Sequence, residues 1–279
     1  MKQFINIILL VCILTGCSNK TSNIEKRSSL IDSLKHNYIP ILIGVWVSTD
    51  YINEIEKTKS PNKSSSKLNG IVTMLITGDT QGDSIQVGAS WNNHEGYSFT
   101  TYLKPGQNKN NLQTDIIDYK EASNFYELGY EKIGNETNLF LYHYDKQNKL
   151  IDKRKFTKVA DEKPDNDLGW EIQYVVNQKL ISGDFLIYDS INNTTTVSLK
   201  SNGSLSGHPD FNEYYIYTDF IGGPETSLDN ICFNLQSKNP ICFAFQFNND
   251  TIYLYSTKGD EEAGEDPQID QLKYRLVKQ

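Results

Sequence analysis

Beyond residue 40, apolar side chains recur at every second position. Ile85, Val87, Ala89 and Trp91 alternate with polar partners, as do Tyr97, Phe99, Thr101 and Leu103, and again Leu272, Tyr274 and Leu276. That period belongs to strands with one buried face. Turn sequences break the runs at short intervals, among them Asn69-Gly70, Gly82-Asp83, Gly134-Asn135, Asn202-Gly203 and Asn248-Asn249-Asp250; such residues readily take the left-handed backbone of a hairpin. No strand is followed by a long amphipathic helix, so the pattern predicts an all-β, antiparallel up-and-down fold of about fourteen to sixteen strands rather than βαβ units.

One helix is expected inside the strand pattern. Asp50 is placed to cap residues 51–57, where Tyr51, Ile52 and Ile55 form an apolar stripe and Ser60-Pro61 ends the run. The helix directly follows Val45-Trp46-Val47-Ser48. It is therefore expected to close one end of a barrel. Gly44 would let the backbone approach, and Ile52 or Ile55 would cover the Trp46 indole, giving Trp46 a structural role.

The amino-terminal pattern differs. Lys2 precedes an apolar run over 4–14 that ends in Leu14-Thr15-Gly16-Cys17, the order of an export signal. It resembles the lipobox of bacterial lipoproteins, with an ordinary secretory signal and an incidental cysteine as the alternative. The resemblance implies removal of residues 1–16 and lipidation of Cys17, with palmitate-like acyl chains holding the protein on a membrane by a tether and not a span. The expected location is the bacterial cell envelope, anchored at the outer membrane. Residues 17–39 then read as a polar leader, with one or two helical turns over 24–36 stopped before Pro40.

Cysteine use suits an oxidising compartment. Cys12 leaves with the signal, so Cys232 and Cys242 remain beside Cys17. A hairpin centred on Ser237 sets Cys232 opposite Cys242 and Phe233 opposite Ile241, with Phe233, Leu235, Ile241, Phe243 and Phe245 on one apolar face. A disulfide is expected, against the alternative of two half-buried thiols. No metal site is expected on them, because no histidine or third cysteine is near in sequence.

A degenerate repeat runs through the chain. The segment 135–144 resembles 249–256, and each is followed by a loop and a last strand, Lys155-Phe156-Thr157-Lys158-Val159 in one and Lys273-Tyr274-Arg275-Leu276-Val277 in the other. Leu42-Ile43-Gly44-Val45-Trp46 has a weaker echo in Leu180-Ile181-Ser182-Gly183-Asp184-Phe185. The division that follows is a first barrel over 40–160, a linker over 161–170 and a second all-β domain over 171–279. Gly44-x-Trp46, the short helix and the meander together resemble a lipocalin-like, or calycin-like, bacterial lipoprotein. The resemblance implies a barrel whose lumen holds an apolar small molecule and whose tryptophan closes the floor. Gly183-Asp184-Phe185 departs from that pattern in the second half.

Composition narrows the function further. With 38% hydrophobic and 22% charged residues the chain can build a core. A net charge of −8, from 27 basic and 35 acidic residues, disfavours nucleic acid. Four histidines are scattered, and no His-Glu-x-x-His helix, Gly-x-Ser-x-Gly elbow or phosphate loop occurs. No catalytic residue or cofactor is therefore assigned. His143 is in phase with Leu139 and Leu141 and reads as a structural histidine facing the lumen. The acidic run 260–267 and Asp165-Asn166-Asp167 read as solvated loops, and carboxylates such as Glu95, Asp118 and Glu127 cannot be paired from sequence.

The best site candidate is 91–97, where Trp91, His94 and Tyr97 gather at a strand junction with two amides and a carboxylate. Its alternative is core packing for Trp91, a turn at Asn93 and Gly96, and a solvated His94-Glu95. The leading expectation is non-catalytic binding of a small, partly apolar ligand. A structural or protein-interaction lipoprotein with filled barrels and an envelope partner is the alternative, an envelope glycan hydrolase comes third, and a glycan is a further candidate ligand.

Overall fold

The computed structural model describes residues 18–134, 136–162, 170–220, 228–259 and 266–279. The signal segment and Cys17, most of the expected linker and most of the acidic run lie outside the described residues. Within them the chain forms seventeen strands, β1 to β17, two of them with only two residues, in two antiparallel sheets.

The first sheet is an eight-stranded closed barrel. β1 (Gly44–Ser48) pairs with both β2 (Ile71–Ile76) and β9 (Leu150–Ala160), and the meander from β4 (Ser84–Trp91) to β9 closes because β4 returns to β2. The short β3 (Thr80–Gln81) is a hairpin partner of β4 outside the ring. The expected alternation holds where one face meets the core: Ile85, Val87, Phe99, Thr101 and Leu103 are all buried.

The second sheet has eight strands. β10 (Gly183–Asp189) pairs with β11 (Thr194–Leu199) and β17 (Gln268–Lys278), in the role β1 has with β2 and β9. Its edges, β12 (Leu205–Ser206) and β13 (Tyr214–Ile216), meet at a single bridge between Ser204 and Glu213. Hydrogen bonds from Leu205 N–H to the Asn212 carbonyl (2.8 Å) and from Tyr214 N–H to the Gly203 carbonyl (2.7 Å) flank that bridge.

The two sheets repeat in detail. Gly44 and Gly183 both take positive φ, 136° and 142°; a Cβ on Gly44 would run into Lys158 across the ladder, and one on Gly183 would press on Lys278 at 3.2 Å. Trp46 and Phe185 follow two residues later, and both are fully buried. β8 (Glu136–Tyr144) and β16 (Thr251–Lys258), the strands with the resembling sequences, occupy equivalent places before the last strand.

The helices depart from expectation in three ways. First, the leader is one long helix, α1 (Ser18–Leu42), which runs through Pro40. Leu34, Tyr38 and Leu42 recur every fourth position and bury into the first barrel's core, and the Tyr38 hydroxyl donates to the Lys109 carbonyl at 2.8 Å. Pro40 stands exposed in the last turn, where the carbonyl it leaves unbonded can be solvated.

Second, α2 (Thr49–Thr58), which the single turn α3 (Pro61–Ser64) follows, starts after Ser48 with no side-chain cap, and Asp50 lies inside the first turn, where its charge suits the helix dipole. Third, α2 does not close the first barrel. Trp46 points into the lumen with Met74 and Phe156 and donates its indole N–H to the Leu42 carbonyl at 2.8 Å, so α1 covers it. Tyr51, Ile52 and Ile55 pack in the other direction, into the second core.

That second core joins the halves. It combines α2 with α4 (Trp170–Val176), the π-helical turn Asn177–Ile181 that continues it, and the interior of the second sheet, including Phe185, Phe233 and Phe245. Asp229, whose carboxyl is pushed up by burial, accepts Asn62 N–H at 2.7 Å and so ties the segment after α2 to the second sheet. Lys179 and Glu56 add an ion pair at 2.6 Å.

Candidate functional site

The hairpin that carries the expected site joins β4 to β5 (Glu95–Pro105). Asn92 and Asn93 both adopt positive φ, at 55° and 57°, so the turn is made by the two asparagines and not by Asn93 with Gly96. The Asn92 side chain accepts Gly70 N–H at 2.6 Å, which fixes the turn on the start of β2.

This turn splits the three candidate residues. Trp91 packs on Tyr97 at 5.6 Å between ring centroids and on Tyr119 at 6.3 Å, and it lines the mouth of the first barrel with Ile71, Ile116 and Leu141. His94 points the other way, toward the second half, where its Nδ1 lies 2.9 Å from Asp219 Oδ2. Asn93 beside it donates to the Thr218 carbonyl at 2.9 Å. Asp219 holds the His94 pKa above its ordinary value. Tyr97 contributes to both surroundings: its ring packs on Trp91 at a tilt of 55°, and it also lines the groove that His94 borders, with burial raising its phenol pKa.

The cavities differ in size. The barrel mouth holds about 120 Å³, below the few hundred that usually accommodate a small ligand. The lumen beneath it is filled by Trp46, Met74, Phe99, Leu112, Leu128 and Phe156. The groove between the two sheets holds about 480 Å³ and is lined from one side by Ser90, His94, Tyr97 and Ser98 and from the other by Glu171, Tyr215 and Asp219. Sequence reasoning missed Glu171, Tyr215 and Asp219, because only the fold brings residues 125 apart together.

The mouth contains a polar cluster of its own. His143 stacks on Tyr126 at 4.3 Å, with Nε2 3.0 Å from Asp118 and Nδ1 3.6 Å from Asp152. Asn124 and the Lys120 amide hold Asp118 below the usual carboxylate range. The imidazole is thus held between two carboxylates, one in hydrogen-bond contact and one slightly beyond it. Glu127 lies elsewhere, buried and accepting from Gln107 N–H and the Asn111 amide, and Glu95 borders the groove. The three carboxylates thus stand at separate places.

The remaining cysteines are disulfide-bonded, Cys232 opposite Cys242 in the hairpin of β14 (Asn230–Phe233) and β15 (Ile241–Asn248). Phe233, Phe243 and Phe245 bury their rings on the core side, but Leu235 and Ile241 stay exposed because they sit at the hairpin tip, beyond the reach of the core. No helix among the described residues is long and apolar enough to cross a membrane.

The architecture defines a mostly β protein with a closed eight-stranded antiparallel barrel and a second sheet built on the same plan. No protein-family model matches the chain, and no curated protein matches it either.

Proposed function

We propose that the chain is a non-catalytic, lipocalin-like lipoprotein of the cell envelope that binds a small, partly apolar ligand in the groove between its two sheets. The observation that carries this reading is the contrast in free volume: about 480 Å³ in the groove against about 120 Å³ at the barrel mouth. The groove pairs a phenol and aliphatic carbons with hydroxyl, imidazole and carboxylate groups, a mixture suited to a ligand with both an apolar body and a polar head. The tether rests on Leu14-Thr15-Gly16-Cys17.

Native mass spectrometry of the full chain, released gently from membranes, is the test. The expected spectrum has an acylated Cys17 amino terminus and an additional bound mass. Tyr97→Ala and His94→Ala deplete the bound mass, whereas Trp91→Ala, at the mouth, spares it. Loss on Trp91→Ala alone would return the ligand to the barrel. A filled lumen also favours the second reading, an interaction lipoprotein whose barrels are scaffolds; in that case no small molecule is carried.

A further inference from the structure

The second sheet carries another groove, of about 450 Å³, which the reading above does not use. Its floor is the outer side of α4. Ile172, Val175 and Val176 face the core, which leaves Trp170 and Tyr174, one turn apart, with their rings stacked at 4.6 Å and half-buried along the groove. The opposite wall consists of the 201–204 turn, the 212–215 segment and the hairpin tip at Gln236.

That wall is fixed by its backbone. Asn212 N–H donates to the Asn234 side chain at 3.1 Å, the Asn212 carbonyl accepts Leu205 N–H, and the Asn234 amide reaches the Asp210 carbonyl at 2.7 Å. The side-chain amides of Asn212 and Gln236 have no protein partner among the described residues. Glu213 adds a carboxylate whose Oε1, among the described residues, takes a single long contact, 3.3 Å, from Gln236 N–H.

The chemistry of this lining is selective. Among the described residues no lysine, arginine or histidine borders it, so a phosphate or carboxylate ligand finds no countercharge there. The amides and the carboxylate make it too polar for a wholly apolar guest. A pyranose ring meets both demands: its C–H face packs on an aromatic ring, and its edge hydroxyls donate to carboxylate and amide oxygens and accept from amide N–H groups.

We propose that this groove is a saccharide-binding site that takes a neutral oligosaccharide, with one ring against the Trp170–Tyr174 pair and its hydroxyls on Asn212, Glu213 and Gln236. The site is independent of the ligand in the groove between the sheets, although Tyr215 borders both.

The test is a calorimetric titration of the full chain with cellotriose, maltotriose and triacetylchitotriose, with trigalacturonate as the anionic control. At least one neutral trisaccharide is expected to bind saturably, with Kd roughly 0.1–1 mM. Trp170→Ala should weaken binding about tenfold or more. Asn212→Ala with Gln236→Ala, both at exposed side chains that the fold does not use, should weaken it by about threefold or more while leaving thermal unfolding unchanged. Ser98→Trp, in the other groove, should have no effect. The proposal is overturned if no neutral trisaccharide binds at concentrations up to about 20 mM, if the Asn212/Gln236 pair of substitutions leaves affinity unchanged, or if trigalacturonate binds most tightly.

Discussion

Trp46 is held by two kinds of force. Its ring fills the lumen beside Met74 and Phe156, and its N–H satisfies the Leu42 carbonyl at the end of α1. Trp46→Ala should therefore cost about 3–5 kcal/mol in urea-induced unfolding, and Phe185→Ala, at the equivalent place in the second sheet, a similar amount. A loss under about 1 kcal/mol would show that neither ring is core. His94 supplies a pH-dependent contact. Its pKa is raised by Asp219, so the pair contributes fully below the ordinary histidine pKa and fades as pH rises through the higher, folded value. In an NMR titration, Asp219→Asn should move the His94 midpoint downward; an unmoved midpoint would mean that the contact is absent in solution. At this scale the sequence showed that Trp46 would be buried, because Gly44-x-Trp46 sits in a strand. It could not show what covers the ring, which depends on the direction each helix takes on leaving the barrel.

Among the elements, the strands were the most legible. Period-two alternation and asparagine–glycine turns located them, and the β14–β15 register followed from one hairpin centre. The count ran slightly higher, at seventeen, because two-residue ladders such as β3 and β12 have no alternation to read. α1 was the least legible element. Its polar first half and Pro40 both argue against a continuous helix, and only contact with the barrel makes Leu34, Tyr38 and Leu42 a stripe. Leu42→Ala is thus expected to destabilise the chain by about 2–5 kcal/mol, a change the helix propensity of alanine alone would not produce. The disulfide closes a loop with a sequence separation of 10, so the double change Cys232→Ser, Cys242→Ser should lower stability by about 2–3 kcal/mol in the same assay.

At the scale of the molecule, the repeat gives two similar sheets and two cores, but the second core is built from both halves of the chain. α2 emerges from the first barrel and buries Tyr51, Ile52 and Ile55 with the interior of the second. The sequence suggested a division near residue 161, because composition changes there; it could not reveal that an earlier helix crosses that boundary. The candidate site was legible in the same partial way. His94 and Tyr97 border the groove, but its other wall comes from residues far along the chain. The groove is lined from both sheets and exists only where they face each other. The most direct test uses 1-aminoanthracene, a small, partly apolar amine, as a fluorescent probe titrated into the full chain and into Ser98→Trp, whose exposed residue borders the groove without supporting the core. The account predicts saturable binding to the unaltered chain and at least about tenfold weaker binding to Ser98→Trp, with the thermal midpoint unchanged. Equal affinity for the two chains would contradict it.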